Sequence, residues 1–130
     1  MKLALLDSNI VIYFLKGDRP IIDWLSRFND CLFAISIVTW IEALVGSFHE
    51  QKNIEEMAAV LNNFLRLPLN EKTAKLTAQL MQNDILSGRK KSFQDSAIAS
   101  TALSNNIPLL TNNPKDFRRF KGLKIVSPSN

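Results

Sequence analysis

Cysteine and histidine are nearly missing from this 130-residue chain, with Cys31 and His49 the single example of each. One cysteine leaves no intrachain disulfide, and Cys31 reads as a small buried hydrophobe in a strand. One cysteine and one histidine leave no structural zinc site, which asks for several such ligands. A Ser-His-Asp mechanism would rest wholly on His49, which reads as a solvated helix-end residue. Long hydrophobic runs are missing too. The run from Leu3 stops at Asp7 and has no small-residue cleavage site, so it is neither a signal peptide nor a membrane span. The expectation is a cytoplasmic protein with no membrane partner. No repeat, low-complexity tract or long linker divides the chain, and its length suits one domain over residues 1–130.

What is present suffices for a core: the hydrophobic set makes up 46% and charged residues 22%. The net charge of +4 is modestly basic. It is compatible with a nucleic-acid partner without requiring one.

Strand and helix patterns alternate. Leu3 to Leu6 is apolar throughout, as a strand buried on both faces is. Ser8 is placed to cap a helix over Asn9 to Leu15, which Gly17 ends. Pro20 begins a second helix through Phe28. After the Asn29-Asp30 turn, Cys31 to Ile35 reads as a strand. Ser36 caps the helix that carries Glu42 and ends near Gly46. Ile54 to Leu65 reads as an amphipathic helix and Leu67 to Leu69 as a short extended piece. Asn70 caps a long helix from Glu71 to about Ser87, with Ala74, Ala78, Leu80, Met81 and Ile85 at apolar or small positions. Asp95 caps a helix to Leu103. Ile107 to Leu110 and Leu123 to Val126 are the last strands. This order predicts an α/β fold with a mostly parallel sheet and helices on both faces. Ligands in such folds gather at the carboxyl ends of the strands.

Four acids stand at the ends of these buried elements or inside them: Asp7, Glu42, Asp95 and Asp116. A carboxylate beside a hydrophobic core is costly unless it is paired or binds a cation. The simplest shared occupant is a hard divalent ion held by oxygen. Asp7 alone reads as a helix cap, but Ser8 takes that role and frees it. Glu42 has Val38, Thr39, Val45 and Gly46 as its neighbours one turn away, so it lies on a largely apolar stripe. Asp95 alone reads as an N-cap, and its two oxygens allow a second role. Thr111 ends a strand; its hydroxyl serves either a turn or an adjacent carboxylate. Asn113 and Asp116 lie among turn formers, and the turn reading is strong there. Asp84 follows Gln82-Asn83 on a polar face and reads as solvated, with support of the neighbouring acids from behind as the alternative. Arg89, Lys90 and Lys91, then Lys115, Arg118 and Arg119, flank the acids. Such runs are most often solvated faces, and at this edge they also suit phosphate-backbone contact. No aromatic-plus-glycine RNA platform motif is present.

Four segments in order then resemble the PIN-domain family, and within it the VapC-type toxin ribonucleases. They are Leu5-Leu6-Asp7-Ser8-Asn9-Ile10, the stretch from Ser36 to Gly46 around Glu42, Asp95-Ser96-Ala97-Ile98-Ala99, and the stretch from Leu110 to Phe117. The resemblance implies a three-layer α/β/α fold with a five-stranded, mainly parallel sheet. It implies an Mg²⁺- or Mn²⁺-dependent endoribonuclease, the toxin of a type II toxin–antitoxin pair, hydrolysing RNA phosphodiesters by metal-activated water. Asp7, Glu42 and Asp95 would be the core acids that hold the metal. Asp116 would complete them, with Ser8, Asn9, Thr111 and Asn113 in support. Asn113 stands where many relatives carry an acid. The implied partners are RNA, a small cognate antitoxin and a second copy of the chain. The dimer surface is expected on the helix over Ile54 to Leu65 or on that from Glu71 to Ser87. The alternatives are a non-catalytic PIN-like domain that binds RNA or protein, and a PIN nuclease that cuts DNA.

Overall fold

A computed structural model describes residues 2–128; Met1, Ser129 and Asn130, the ends of the expected 1–130 domain, lie outside the described residues. The elements run β1 (Lys2–Leu6), α1 (Ser8–Leu15), α2 (Arg19–Ser26), β2 (Cys31–Ser36), α3 (Ile37–His49), α4 (Ile54–Leu61), β3 (Leu65–Leu67), α5 (Glu71–Leu86), α6 (Phe93–Ser104), β4 (Leu109–Leu110), a 3₁₀ turn (Pro114–Asp116) and β5 (Ile125–Val126). The five strands lie in the order β3-β2-β1-β4-β5. Each neighbouring pair is parallel. The expected α/β fold with a five-stranded, mainly parallel sheet is therefore present, and the pairing is wholly parallel.

The pleat of β1 divides the core. Ala4 and Leu6 face a cluster with Ile10 and Val11 of α1, Trp24 and Leu25 of α2, Ala43 and Leu44 of α3, and Leu61 of α4. Leu5 faces the other way, onto Leu80 of α5 and Ile98, Ala99 and Ala102 of α6, with Phe117 and Phe120. Leu5 and Leu6 are fully buried. Truncating either to Ala costs about 2–5 kcal/mol. Helices α1 to α4 thus cover one face and α5 and α6 the other, which makes three layers.

The chain builds outward from β1 to β2 and β3, then crosses to β4 and β5 on the far side. The direction of strand order reverses between β1 and β4. A crevice opens outside the carboxyl ends at such a point, because the connections leave in opposite directions. Asp7 follows β1 there and Thr111 follows β4.

Several expected boundaries move. Helix α3 runs through Gly46 to His49, which is exposed as expected. Helix α4 stops at Leu61, and its expected end, Leu65, opens β3 instead. Asn62 and Asn63 supply the turn between them. Helix α2 begins at Arg19, capped by Asp18, and ends at Ser26. The last two strands shrink to two residues each. Cys31 lies in β2 but is only half-buried.

The largest correction concerns α5. Ala74, Ala78 and Ile85 are exposed, and the buried stripe is Thr73, Thr77, Leu80 and Asp84. Thr77 shares a hydrogen bond with Ser100 of α6 and donates to the Thr73 carbonyl. Hydroxyls that bond locally lose little on burial, so this polar stripe packs where an apolar one was expected. Asp84 is 3% exposed, not solvated.

Candidate active site

Asp7 is the N-cap of α1: its Oδ1 accepts from the Ser8 N–H at 2.7 Å. The expectation that Ser8 caps this helix is overturned. One oxygen of a carboxylate suffices for a cap, which leaves Oδ2 free for another partner. The Thr111 hydroxyl donates to that oxygen at 2.8 Å, across the gap between β1 and β4. The same hydroxyl accepts from the Asn113 N–H. Thr111 is therefore both a turn residue and a carboxylate partner. Each Asp7 oxygen accepts one bond and retains a lone-pair direction.

Ser8, released from capping, is buried and turns toward α3. Its hydroxyl donates to Glu42 Oε1 at 3.0 Å. It has one proton, so in its 2.8 Å contact with Thr39 the Thr39 hydroxyl is the donor. Ser36 caps α3 through the Thr39 N–H. The cap of α3 and the first turn of α1 are thereby tied to one carboxylate. Gln94 of α6 donates to Glu42 Oε2 at 2.8 Å. Glu42 is half-buried, and Val45 and Gly46 on its expected apolar stripe are exposed.

Asp95 does not cap α6. Ser92 does, accepting from the Asp95 N–H at 3.2 Å. Asp95 then sits in the first turn, where the helix dipole favours negative charge. Asp116 ends the 3₁₀ turn and is exposed. Asn113 Nδ2 donates to its Oδ2 at 2.6 Å.

These acids feel one another. Burial raises the Asp7 pKa above 3.8 against the pull of Thr111 and the Ser8 N–H, and the charges of Asp95 and Asp116 push it further. Burial also raises Glu42, opposed by Ser8 and reinforced by Asp7 and Asp95. Asp95 is raised by burial and by Asp116, with Arg119 lowering it. The structure thus brings the four expected acids into one electrostatic set. Asn9 is exposed in the first turn of α1 and makes no side-chain contact with the set among the described hydrogen bonds.

Arg89, Lys90, Lys91, Lys115 and Arg118 are exposed. Arg119, grouped with them in the sequence, is tied inward. Its Nε donates to Asp84 Oδ1 at 3.0 Å, its Nη1 to the Asp116 carbonyl, and its Cζ lies 4.2 Å from the Phe120 ring centroid.

The contacts of three residues are not evident from the sequence. Thr39 shares a helix face with Glu42, three residues on, and that spacing was a usable signal. Asp84 lies at i+11 from Thr73 on the hydroxyl stripe, opposite Ser100, which was a weaker signal. Gln94 meets Glu42 across 52 residues with no local sign.

The PIN-domain family model matches residues 4–123. The chain is 29% identical over 124 residues to the tRNA(fMet)-specific endonuclease VapC of Shigella flexneri, covering 92% of this chain and 93% of that protein. It is 30% identical over 123 residues to ribonuclease VapC10 of Mycobacterium tuberculosis, covering 94% and 91%. The solved VapBC-1 structure of nontypeable Haemophilus influenzae superposes with a TM-score of 0.83 at 26% identity, covering 98% of this chain and 99% of that one. This chain belongs to the PIN-domain family, among relatives that are VapC ribonucleases.

Proposed function

We propose that this chain is the ribonuclease toxin of a type II toxin–antitoxin pair, one nuclease domain over residues 1–130 that cuts RNA with a divalent ion held at Asp7, Glu42, Asp95 and Asp116. The observation that carries this is the linkage of Asp7 to Thr111 and, through Ser8, to Glu42 at the sheet's switch point, with the charge of Asp95 close enough to act on both acids. The VapC relatives, an endonuclease and a ribonuclease, support the same reading.

The donor set fits such an ion. All four side chains offer carboxylate oxygens, the preference of Mg²⁺ and Mn²⁺. Among the described residues, no group of three or more His, Cys, Asp or Glu side chains is arranged to hold an ion directly. Mg²⁺ takes one or two carboxylates directly and keeps several waters, so the remaining acids would act on metal-bound waters. When bound, the ion supplies positive charge to the phosphate and lowers the pKa of a water.

The chain's own residues do the rest. Thr111 and the Ser8 N–H fix the Asp7 carboxylate, and Ser8 and Gln94 fix Glu42. Asn113 orients Asp116 at the open rim. The exposed Arg89, Lys90, Lys91, Lys115 and Arg118 contact RNA phosphates.

A small antitoxin and a second copy of the chain are the proposed protein partners. Among the described residues no helix is long and apolar enough to cross a membrane. On α4 the exposed large apolar side chain is Val60, and on α5 they are Ile85 and Leu86. A longer stripe lies on α3, where Ile41, Val45 and Phe48 are 50%, 59% and 61% exposed. A dimer by light scattering at micromolar concentration is expected; a monomer would count against it.

The test is cleavage of total cellular RNA by antitoxin-free protein with Mg²⁺, Mn²⁺ or EDTA, beside Asp95→Asn. Discrete products that EDTA and the substitution both remove are expected. No product from folded wild type would shift the reading to a binding domain, and cleavage of DNA alone would shift it to a DNA nuclease.

A further inference from the structure

Asp84 is a buried carboxylate that the proposed reaction does not use. It closes the hydroxyl stripe of α5, and its side chain is 4% exposed. Oδ1 takes the Arg119 Nε at 3.0 Å, while Oδ2 is buried without a hydrogen-bond partner. Its compensation therefore comes from the guanidinium. That guanidinium is held from two further directions, by the Asp116 carbonyl and the Phe120 ring. Asp95 is the remaining neighbour. Its Oδ2 lies 4.0 Å from Arg119 Nη2, beyond hydrogen-bond reach.

Two carboxylates thus compete for one arginine. Asp95, at 25% side-chain exposure, is the better solvated of the two. Asp84 is screened less, so its attraction is stronger, and losing its partner would leave a bare buried charge. An arginine freed from Asp84 would fork onto Asp95, because bidentate carboxylate pairing is its preferred geometry.

We propose that Asp84 is a positioning residue that holds Arg119 back from Asp95, so that the Asp95 oxygens stay open to a divalent cation. This rests on the reading that Asp95 helps to hold the ion. An incoming cation then displaces a loose ion pair at 4.0 Å rather than a hydrogen-bonded, bidentate one. Arg119 meanwhile offsets part of the acid charge in the ion-free protein.

Mn²⁺ titration, followed by loss of the free-ion paramagnetic signal, tests this without any turnover. The set is wild type, Asp84→Asn and the double variant Asp84→Asn/Arg119→Gln, each checked for fold by circular dichroism. Asp84→Asn keeps the shape and removes the charge that holds the arginine back, and its Mn²⁺ affinity is expected to fall by about tenfold, the scale of lost outer-shell support. The double variant lacks the competing cation and should bind at least as tightly as wild type. A merely structural pair would lose and regain stability in step with affinity, so the melting temperature of each variant is read beside its Mn²⁺ affinity. Wild-type affinity in folded Asp84→Asn overturns this proposal and leaves the ion reading standing. Equal weakening in the double variant does the same. No Mn²⁺ binding by wild type at millimolar concentration overturns both. If Asp84→Asn does not fold, the double variant decides: binding as tight as wild type supports the proposal, and binding tenfold weaker overturns it.

Discussion

Asp7 and Glu42 are held by neutral donors, whereas Asp95 lies beside a guanidinium that also takes the Asp116 carbonyl. On the first side, Thr111, Ser8 and Gln94 fix the carboxylates without adding charge, and Thr39 holds Ser8. On the second, Arg119 reaches Asp84, the Asp116 carbonyl and the edge of Asp95. Neutral hydrogen bonds orient a carboxylate but leave most of its charge uncompensated. The need for a cation is therefore greatest beside β1. The arginine side is partly compensated already, and there geometry rather than charge demand decides whether an ion enters.

The comparison breaks most sharply at Asp7. Asp7→Asn removes a proposed ligand and keeps its cap. Cleavage should fall by about 10³-fold or more, since an ion's charge stabilisation is worth several kcal/mol and about 1.4 kcal/mol is tenfold. Single-turnover cleavage measures this, and a loss under tenfold would move the ion away from β1. Removing only the neutral support is milder. Thr111→Val strips Asp7 Oδ2 of its hydroxyl, and cleavage should drop about 10–100-fold. Because the Thr111 bond lowers the Asp7 pKa, the acidic limb of the rate profile should move upward in pH. An unmoved limb would assign Thr111 to the turn alone.

The third prediction concerns pH. Asp7, Glu42 and Asp95 have folded pKa values above their ordinary values of 3.8, 4.5 and 3.8. The folded state then binds more protons than the unfolded one, so these groups favour folding at low pH and lose that contribution as pH climbs through the raised values. The melting temperature of ion-free protein should accordingly carry a contribution from these acids that declines as pH rises above the ordinary carboxylate range, and Mg²⁺ should reduce that decline. An equal pH dependence with and without ion would show that the acids are not strained by their own charge. The smallest effect belongs to Gln94→Ala. It removes one exposed hydrogen bond to Glu42, worth about 0.5–1.5 kcal/mol, and should slow cleavage only about 2- to 10-fold.

The two faces of the sheet differ in how far the sequence discloses them. The face under α1 to α4 follows apolar spacing, and β1, α1 and the turns at Asn29-Asp30 and Asn105-Asn106 lie where local chemistry puts them. Asp30 and Asn106 adopt φ of 58° and 54°, as left-handed turn residues of this kind do. The face under α5 and α6 is hidden, because α5 buries Thr73, Thr77 and Asp84 and exposes Ala74, Ala78 and Ile85. Apolar periodicity cannot find a stripe whose polar groups are satisfied across a helix pair. Helix α4 ran too long in the sequence reading because Phe64 and Leu65 continue the apolar pattern past the Asn62-Asn63 turn.

The four acids were legible as residues at element ends, and the family resemblance ordered them. Their supports were less so. Asp7 caps its helix with one oxygen and accepts from Thr111 with the other, so capping does not compete with its second role. The Asp84–Arg119 pair joins positions 35 apart with no local pattern, and only the packed fold shows that Arg119 points inward.

The central claim is that both sides of this edge serve one ion. The direct measurement is the rise in melting temperature on adding Mg²⁺, taken in parallel for wild type, Asp7→Asn and Asp95→Asn at pH 8. Wild type should rise by several degrees, and either substitution should abolish most of that rise. A wild type that Mg²⁺ leaves unmoved, or a substitution on either side that keeps the full rise, would contradict a single shared site.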